Sequence, residues 1–273
     1  MGLKVSVLTL VKGRAKALEN MIAGLLANSV FPDELIIVLI NECARILPKT
    51  PFPVKQVLLK HEHELPLAAA RNIAANNALG DLLIFLDVDC IPAQDLVATY
   101  LSGAVRGMLT NGVVRYLMRG AVDQREFNLQ LDKLSTVDPV RDGLKELPHE
   151  LFWSLNFACY KLDFARIGGF DESFTGYGAE DTDFAFTARK IAIGMNSIPA
   201  LAYHQYHEQF SPPLNHFEDI VQNAKIFFDK WRIWPMEGWL NAFEKRTLIQ
   251  WNSNELKILK HPSSSEIANA LKV

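Results

Sequence analysis

The strongest constraint on this chain is the order of apolar runs in its first ninety residues. Val5–Val11 is β-branched and apolar, 35–40 is apolar throughout, and so is Leu82–Leu86. A strand without polar alternation must be covered on both faces, as parallel strands of α/β proteins are. Between the first two runs, Leu18, Met21, Ile22, Leu25 and Leu26 repeat at helical spacing until Phe31-Pro32-Asp33 breaks the pattern. A third strand is expected over Val54–Leu59, followed by an Ala-rich helix over 67–79 that Gly80 stops. The order β-α-β-β-α-β predicts an α/β fold with an open, mostly parallel sheet flanked by helices.

Beyond Pro92 the pattern loosens. A helix is expected over 94–108, a strand over 112–118, a polar loop or lid over 122–148, an aromatic extended segment over 151–160, and a helix over 182–193 stopped by Gly194. From Asn215 onward, Phe217, Ile220, Val221, Ala224, Phe227, Phe228 and Trp231 lie at helical spacing, and after Trp234-Pro235 a further helix is expected over 239–249. At 273 residues the length allows about 1.8 domains. The reading is one α/β domain over 1–210 and a helical extension over 211–273 packed on it. Its Trp231, Trp234, Trp239 and Trp251 suit helix packing, an acceptor wall, a dimer contact or a membrane-surface patch.

Charge narrows the partners. With 28 Lys and Arg against 31 Asp and Glu, the net charge of -3 provides no broad basic field, which speaks against nucleic acid. Cys43, Cys90 and Cys159 are odd in number and unpaired in spacing, as reduced thiols of a cytoplasmic protein would be. No apolar run approaches the ~18 residues of a membrane span, and no signal peptide is apparent, although peripheral membrane contact is compatible with the sequence.

The chemistry concentrates at two motifs. Asp87-Val88-Asp89 follows directly on Leu-Leu-Ile-Phe-Leu, where strand ends of open α/β sheets form a ligand crevice. Two carboxylates one residue apart can reach a ribose and a hard divalent cation that also takes diphosphate oxygens. Further on come Gly168-Gly169-Phe170-Asp171-Glu172 and then Gly176-Tyr177-Gly178-Ala179-Glu180-Asp181. Together with Ala70-Arg71-Asn72 and Arg14, this set resembles the inverting nucleotide-sugar glycosyltransferases of family 2, which have the GT-A fold. The second motif is also similar to that of the β-1,4-galactosyltransferases and the chondroitin-polymerase-type enzymes. The resemblance covers roughly 3–210.

That resemblance implies a UDP-sugar donor, a carbohydrate or lipid-linked acceptor, and Mn2+ or Mg2+. It implies Asp89 as a metal ligand, Asp87 on the metal or ribose, Asp181 as general base, and Glu180 on a donor or acceptor sugar. The acids 180–183 also read as an ordinary acidic helix N-terminus. His207, with His204 second, would complete the metal site, since imidazole suits Mn2+ better than Mg2+. Thr9, Val11, Arg14, Arg71, Asn72 and Val88 are implied on the donor side. Trp153, Asn156, Tyr177 and Gly178 are candidate sugar contacts. Where many family members carry an acidic pair that reads uracil, this chain has Asn41-Glu42, so the base identity stays open. His61 and His63 read as a solvated loop. Two other classes are compatible with an acidic α/β cleft. One is a sugar-1-phosphate nucleotidyltransferase, for which the single Gly of Leu10-Val11-Lys12-Gly13-Arg14 makes a poor phosphate loop. The other is a non-catalytic nucleotide-sugar or glycan-binding protein.

Overall fold

The computed structural model describes residues 2–62, 65–144 and 146–272, so His63 lies outside the described residues. Its first half follows the expected order: β1 (Val5–Val11), α1 (Ala15–Leu26), β2 (Glu34–Ile40), β3 (Val54–Leu59), α2 (Leu67–Asn77) and β4 (Leu82–Leu86). These strands pair in parallel in the order β3-β2-β1-β4. The chain thus builds outward from β1 in both directions, and the reversal beside β1 and β4 opens a crevice at their carboxyl ends.

The unbroken apolar runs are explained by burial on both faces. Leu35, Ile37 and Leu39 of β2 face the layer containing α1, while Ile36, Val38 and Ile40 face the layer containing α2. Every residue of β2 and β4 is buried.

The second half departs from a parallel sheet. It contains β5 (Cys90–Pro92), α3 (Leu96–Gly103), β6 (Met108–Leu117), β7 (Ser135–Val137), β8 (Asn156–Tyr160), α4 (Lys161–Ile167), α5 (Glu180–Lys190) and β9 (Gly194–His204). β8 runs antiparallel between β4 and β6, β9 runs parallel to β6, and β5 closes the edge antiparallel to β9. The sheet is therefore mixed. Gly194 opens β9 and does not end α5, which stops four residues earlier at Lys190.

One polar residue fastens this half together. Asn156 is 2% exposed; its Oδ1 accepts from the Tyr100 hydroxyl at 2.8 Å, and its Nδ2 donates to the carbonyls of Val113 at 3.1 Å and Ala200 at 2.9 Å. The β6 bulge at Gly112 lets that side chain through, because a Cβ there would collide with Asn156 Nδ2 and the Ala200 oxygen. The sugar-contact expectation for Asn156 is thus corrected: both amide hydrogens and the amide oxygen are engaged inside the fold. Asn156→Ala should destabilise the fold by about 3 kcal/mol in chemical denaturation, since two buried partners and one part-buried carbonyl lose their bonds.

After β10 (Gln209–Phe210), the tail forms α6 (Phe217–Trp231), α7 (Glu237–Glu244), the hairpin β11 (Ile249–Trp251) and β12 (Leu256–Ile258), α8 (Ser264–Ala270) and β13 (Leu271–Lys272). It is less helical than its periodicity suggests, because Ile249 begins a strand and β13 returns to pair with β10. Leu214, Phe217, Ile220, Leu240, Phe243 and Leu248 give the tail its own core. A second cluster, Phe174, Ala179, Phe186 and Phe227, joins α6 to the segment around α5.

Candidate active site

Strand pairing brings the two halves of a candidate cation site together. Cys90 lies opposite His204 in the β5–β9 ladder, and Gln205 N–H donates to the Asp89 carbonyl at 2.7 Å. Asp89 therefore sits beside His204 and His207, which follow it by more than a hundred residues. His204 Nε2 lies 3.5 Å from Asp89 Oδ1, and His207 Nε2 lies 3.8 Å from Oδ2. All three ligand atoms fall within 4.8 Å of one another. These separations are long for hydrogen bonds but near those of neighbouring ligands about 2.1 Å from a shared cation. Burial lowers the His204 pKa, against the pull of Asp89, and favours the neutral imidazole that can donate a lone pair. A carboxylate with two imidazoles is a donor set suited to a first-row divalent cation. Arg14 also forms an ion pair with Asp89 Oδ2, so a positive charge already neutralises this carboxylate.

The second cluster forms around Arg71 of α2. The guanidinium, in a residue 5% exposed, donates to Glu180 Oε1 at 3.0 Å, lies 3.8 Å from Asp87 Oδ1, and rests 5.2 Å from the Phe170 ring. Burial works against its charge, but Glu180, Asp87 and Asp181 more than offset this, so the group stays cationic. Arg71 thus ties the strand-end motif to the start of α5. Asp87 faces Arg71 while Asp89 faces the histidines. Burial pushes the Asp87 carboxyl up to about 6, with Arg71 opposing the shift and Asp89 adding to it.

Asp181, beside Glu180 in the first turn of α5, is half-buried. Its carboxylate accepts the Thr182 N–H at 2.8 Å and a bond from the Ser154 backbone. Burial and the neighbouring Glu180 nevertheless push it up to about 7. A carboxylate that changes charge near neutrality is suited to proton transfer. The acidic helix N-terminus expected here is present, with Glu180, Asp181 and Asp183 in the first turn of α5, although the helix starts from Ala179 at φ +73° with no side-chain cap.

The other expected contacts divide. Asn72 does not face a donor: it accepts the Phe170 N–H at 2.8 Å and donates to the Phe170 carbonyl and Glu172, each at 2.8 Å, fixing the Gly168-Gly169 turn. Thr9, Val11 and Val88 are buried, so the side chains of Thr9 and Val11 belong to the sheet interior. Asn41 and Glu42 line a pocket of about 450 Å³ with Cys43, Lys60, His61 and Glu62 at the ends of β2 and β3. There Asn41 already bonds both ways with the His61 backbone, at 2.9 and 3.1 Å, and Glu42 is engaged by Gly13 N–H and Arg45. Trp153 is half-buried beneath the Arg141 guanidinium, 4.4 Å from its ring.

Tyr177, 37% exposed, stacks on His216 at 4.6 Å and Trp239 at 5.7 Å between ring centroids. Gly178 at φ +98° passes so close under Met236 that a Cβ would sit 2.7 Å from its sulfur. The contributions of His216 and Met236 were not legible as site features, because nothing local marks a tail residue as lying against a loop about forty to sixty residues upstream, whereas Trp239 was among the tryptophans read as suiting an acceptor wall.

A parallel half-sheet with acids at the switch point and a mixed second half carrying the histidines defines a GT-A glycosyltransferase fold. The chain belongs to the family described as Glycosyltransferase like family 2, which matches residues 53–228. It is 28% identical over 155 residues to the validoxylamine A glucosyltransferase of Streptomyces hygroscopicus subsp. jinggangensis, a stretch covering 47% of this chain and 36% of that one. The chain thus spans little more than a third of this curated relative's length. Among solved structures, S. aureus TarS 1-349 superposes with a TM-score of 0.53 at 16% identity, over 83% of this chain and 66% of that one. The same fragment is known in complex with UDP-GlcNAc. The mannosyltransferase PcManGT of Pyrobaculum calidifontis, in complex with GDP-Man and Mn2+, superposes at 0.51 with 15% identity, over 84% and 65%. At these identities the structural likeness speaks for the fold alone.

Proposed function

We propose that this protein is an inverting, metal-dependent glycosyltransferase that moves a hexose or N-acetylhexosamine from a UDP-sugar to a hydroxyl of a carbohydrate or lipid-linked acceptor. The observation carrying this reading is Arg71, which joins Asp87 to Glu180 and so makes one cleft of the two acidic motifs. Residues 1–210 would be the catalytic unit and 211–273 an extension that walls its acceptor side. The family and the glucosyltransferase relative support the reaction class, and the UDP-sugar is taken from the resemblance of the motifs to family 2 enzymes.

Asp89, His204 and His207 would hold the cation, and Asp87 would face the donor's ribose or the same ion. A divalent cation, when bound, supplies positive charge for the departing diphosphate. The pocket of Asn41 and Glu42 would take the base, with Thr9, Val11 and Val88 supplying backbone edges nearby. Arg14 is placed to follow the diphosphate's charge. Glu180, oriented by Arg71, would hold a sugar hydroxyl. Asp181 would take the proton of the acceptor hydroxyl as its oxygen bonds to the anomeric carbon and the bond from that carbon to UDP breaks. Attack opposite the leaving group inverts the configuration. The partly exposed ring of Tyr177 and the edge of Trp153 suit the apolar face of a sugar.

The pH dependence follows from Asp181. Its active form as a base is the carboxylate, so kcat/KM should rise with pH to a plateau, with a midpoint near the raised pKa of about 7. A profile flat from pH 5.5 to 8.5 would remove Asp181 from the role. The class itself is tested by incubating the protein with a panel of UDP-sugars and Mn2+ and identifying the phosphate product. Release of UDP supports glycosyl transfer or donor hydrolysis. Formation of UTP and a sugar 1-phosphate when pyrophosphate is added would indicate a nucleotidyltransferase, and binding without turnover a non-catalytic module.

A further inference from the structure

Helix α6 carries polar side chains that packing alone does not require. Asn223 is 1% exposed, and its Nδ2 donates to three carbonyls of one loop, those of Thr175 at 2.9 Å, Gly178 at 2.9 Å and Tyr177 at 3.4 Å. Its Oδ1 is buried without a partner among the described residues. An unpaired buried acceptor costs stability, so an apolar side chain would serve a purely packing position better. Two turns further on the same face, Lys230 Nζ and Trp231 Nε1 donate to the Asp183 carboxylate at 2.9 and 2.7 Å. Lys230 also reaches Asp171 at 2.9 Å.

Between these two grips lies the segment 175–183, which carries Glu180 and Asp181. Its backbone is left-handed at Gly176, Gly178 and Ala179, with φ of +73°, +98° and +73°. A non-glycine residue there is strained and persists only where its surroundings hold it. The approach of α6 is also close, since a Cβ at Gly176 would overlap the Asp219 carboxylate.

We infer that α6 is a positioning element of the active site: Asn223 holds the loop ahead of α5 and the Lys230–Trp231 pair holds its first turn, so that together they aim Asp181. The inference rests on the reading of Asp181 as base. Asn223, Lys230 and Trp231 act through the segment and are positioning residues.

The test compares Asn223→Ala with Leu248→Ala, a cavity in the tail core at a residue whose backbone bonds go to Phe243, Leu259 and Lys260 and not to the loop. Asn223→Ala should lower kcat on the order of 10²-fold, as expected for a small misplacement of a reacting group, with the donor KM within about twofold. Amide exchange over 174–186 should quicken at least about tenfold in Asn223→Ala. Leu248→Ala should keep kcat within about threefold at a similar loss of melting temperature. Trp231→Phe, which removes only the indole donor, should lower kcat in the same pattern by about tenfold and serves alone if Asn223→Ala does not fold. Wild-type exchange over 174–186 together with unchanged kcat would overturn the inference, as would a kcat loss in Leu248→Ala matching that of Asn223→Ala. If the wild-type protein itself releases UDP from no donor, the functional reading fails instead, and exchange over 174–186 decides whether α6 anchors the segment.

Discussion

Replacing Asp181 with Asn should lower kcat by roughly 10³-fold, within the span general acid–base groups contribute, while UDP affinity stays within about twofold. The separation is expected because Asp181 is not among the groups that gather around Asp89 or that bond Arg71 directly. A stability measurement distinguishes this from damage to the fold. Asp181 has a raised pKa, so its protonated form is favoured in the folded state. Whatever that proton contributes is fully present below the unfolded value near 4 and is lost as pH rises through about 7. At pH 8 the native protein therefore carries a half-buried charge that the Asp181→Asn change removes, and the variant should melt no lower than wild type. Near-normal turnover in the Asp181→Asn variant would transfer the base role to Glu180. In that case Glu180→Gln should carry the large loss.

The second large effect is expected at Asp89. Asp89→Ala removes the only carboxylate of the Asp89–His204–His207 group and leaves Arg14 without its partner. Turnover should fall by at least about 10³-fold, because the departing diphosphate would lose the bound cation and keep only Arg14 and Arg71 against Asp87 and Glu180. Chelation of the wild-type protein should reproduce the loss, and added Mn2+ should restore the wild type but not the variant. His207→Ala and His204→Ala should each weaken Mn2+ binding by about 10- to 100-fold. Full activity of the wild type in excess chelator would show that the trio is an ordinary hydrogen-bonding cluster.

What the sequence revealed and concealed follows from how local each signal is. The parallel half was legible because burial on both faces forces unbroken apolar runs such as 35–40, and the acids of Asp87-Val88-Asp89 stand out directly after one. The antiparallel insertion of β8 between β4 and β6 was not, because pairing partners far apart in the chain leave no pattern in either segment. Asn72 and Asn156 misled for the same reason. Each is a polar residue near a motif, but its partners lie about forty to a hundred residues away in the core or in a turn. The tail was read as a helical extension, and its amphipathic spacing did identify α6. The same spacing gave no sign that Asn223 grips the 175–178 loop, because an Asn in a helical pattern ordinarily reads as a solvated position. The His204–His207 pair required the resemblance, since two histidines three apart do not by themselves select Asp89.

The most direct test of the account is a calorimetric titration of UDP into the protein with Mn2+ and with chelator, for wild type and Asp89→Ala. A shared cation and diphosphate site makes the two ligands reciprocally coupled, so Mn2+ should tighten UDP binding to wild type by about 10- to 100-fold. The variant should bind UDP with the same weak affinity in both conditions. Equal UDP affinity of the wild type with Mn2+ and with chelator would contradict the assignment of Asp89, His204 and His207 as the cation site of a nucleotide-sugar cleft.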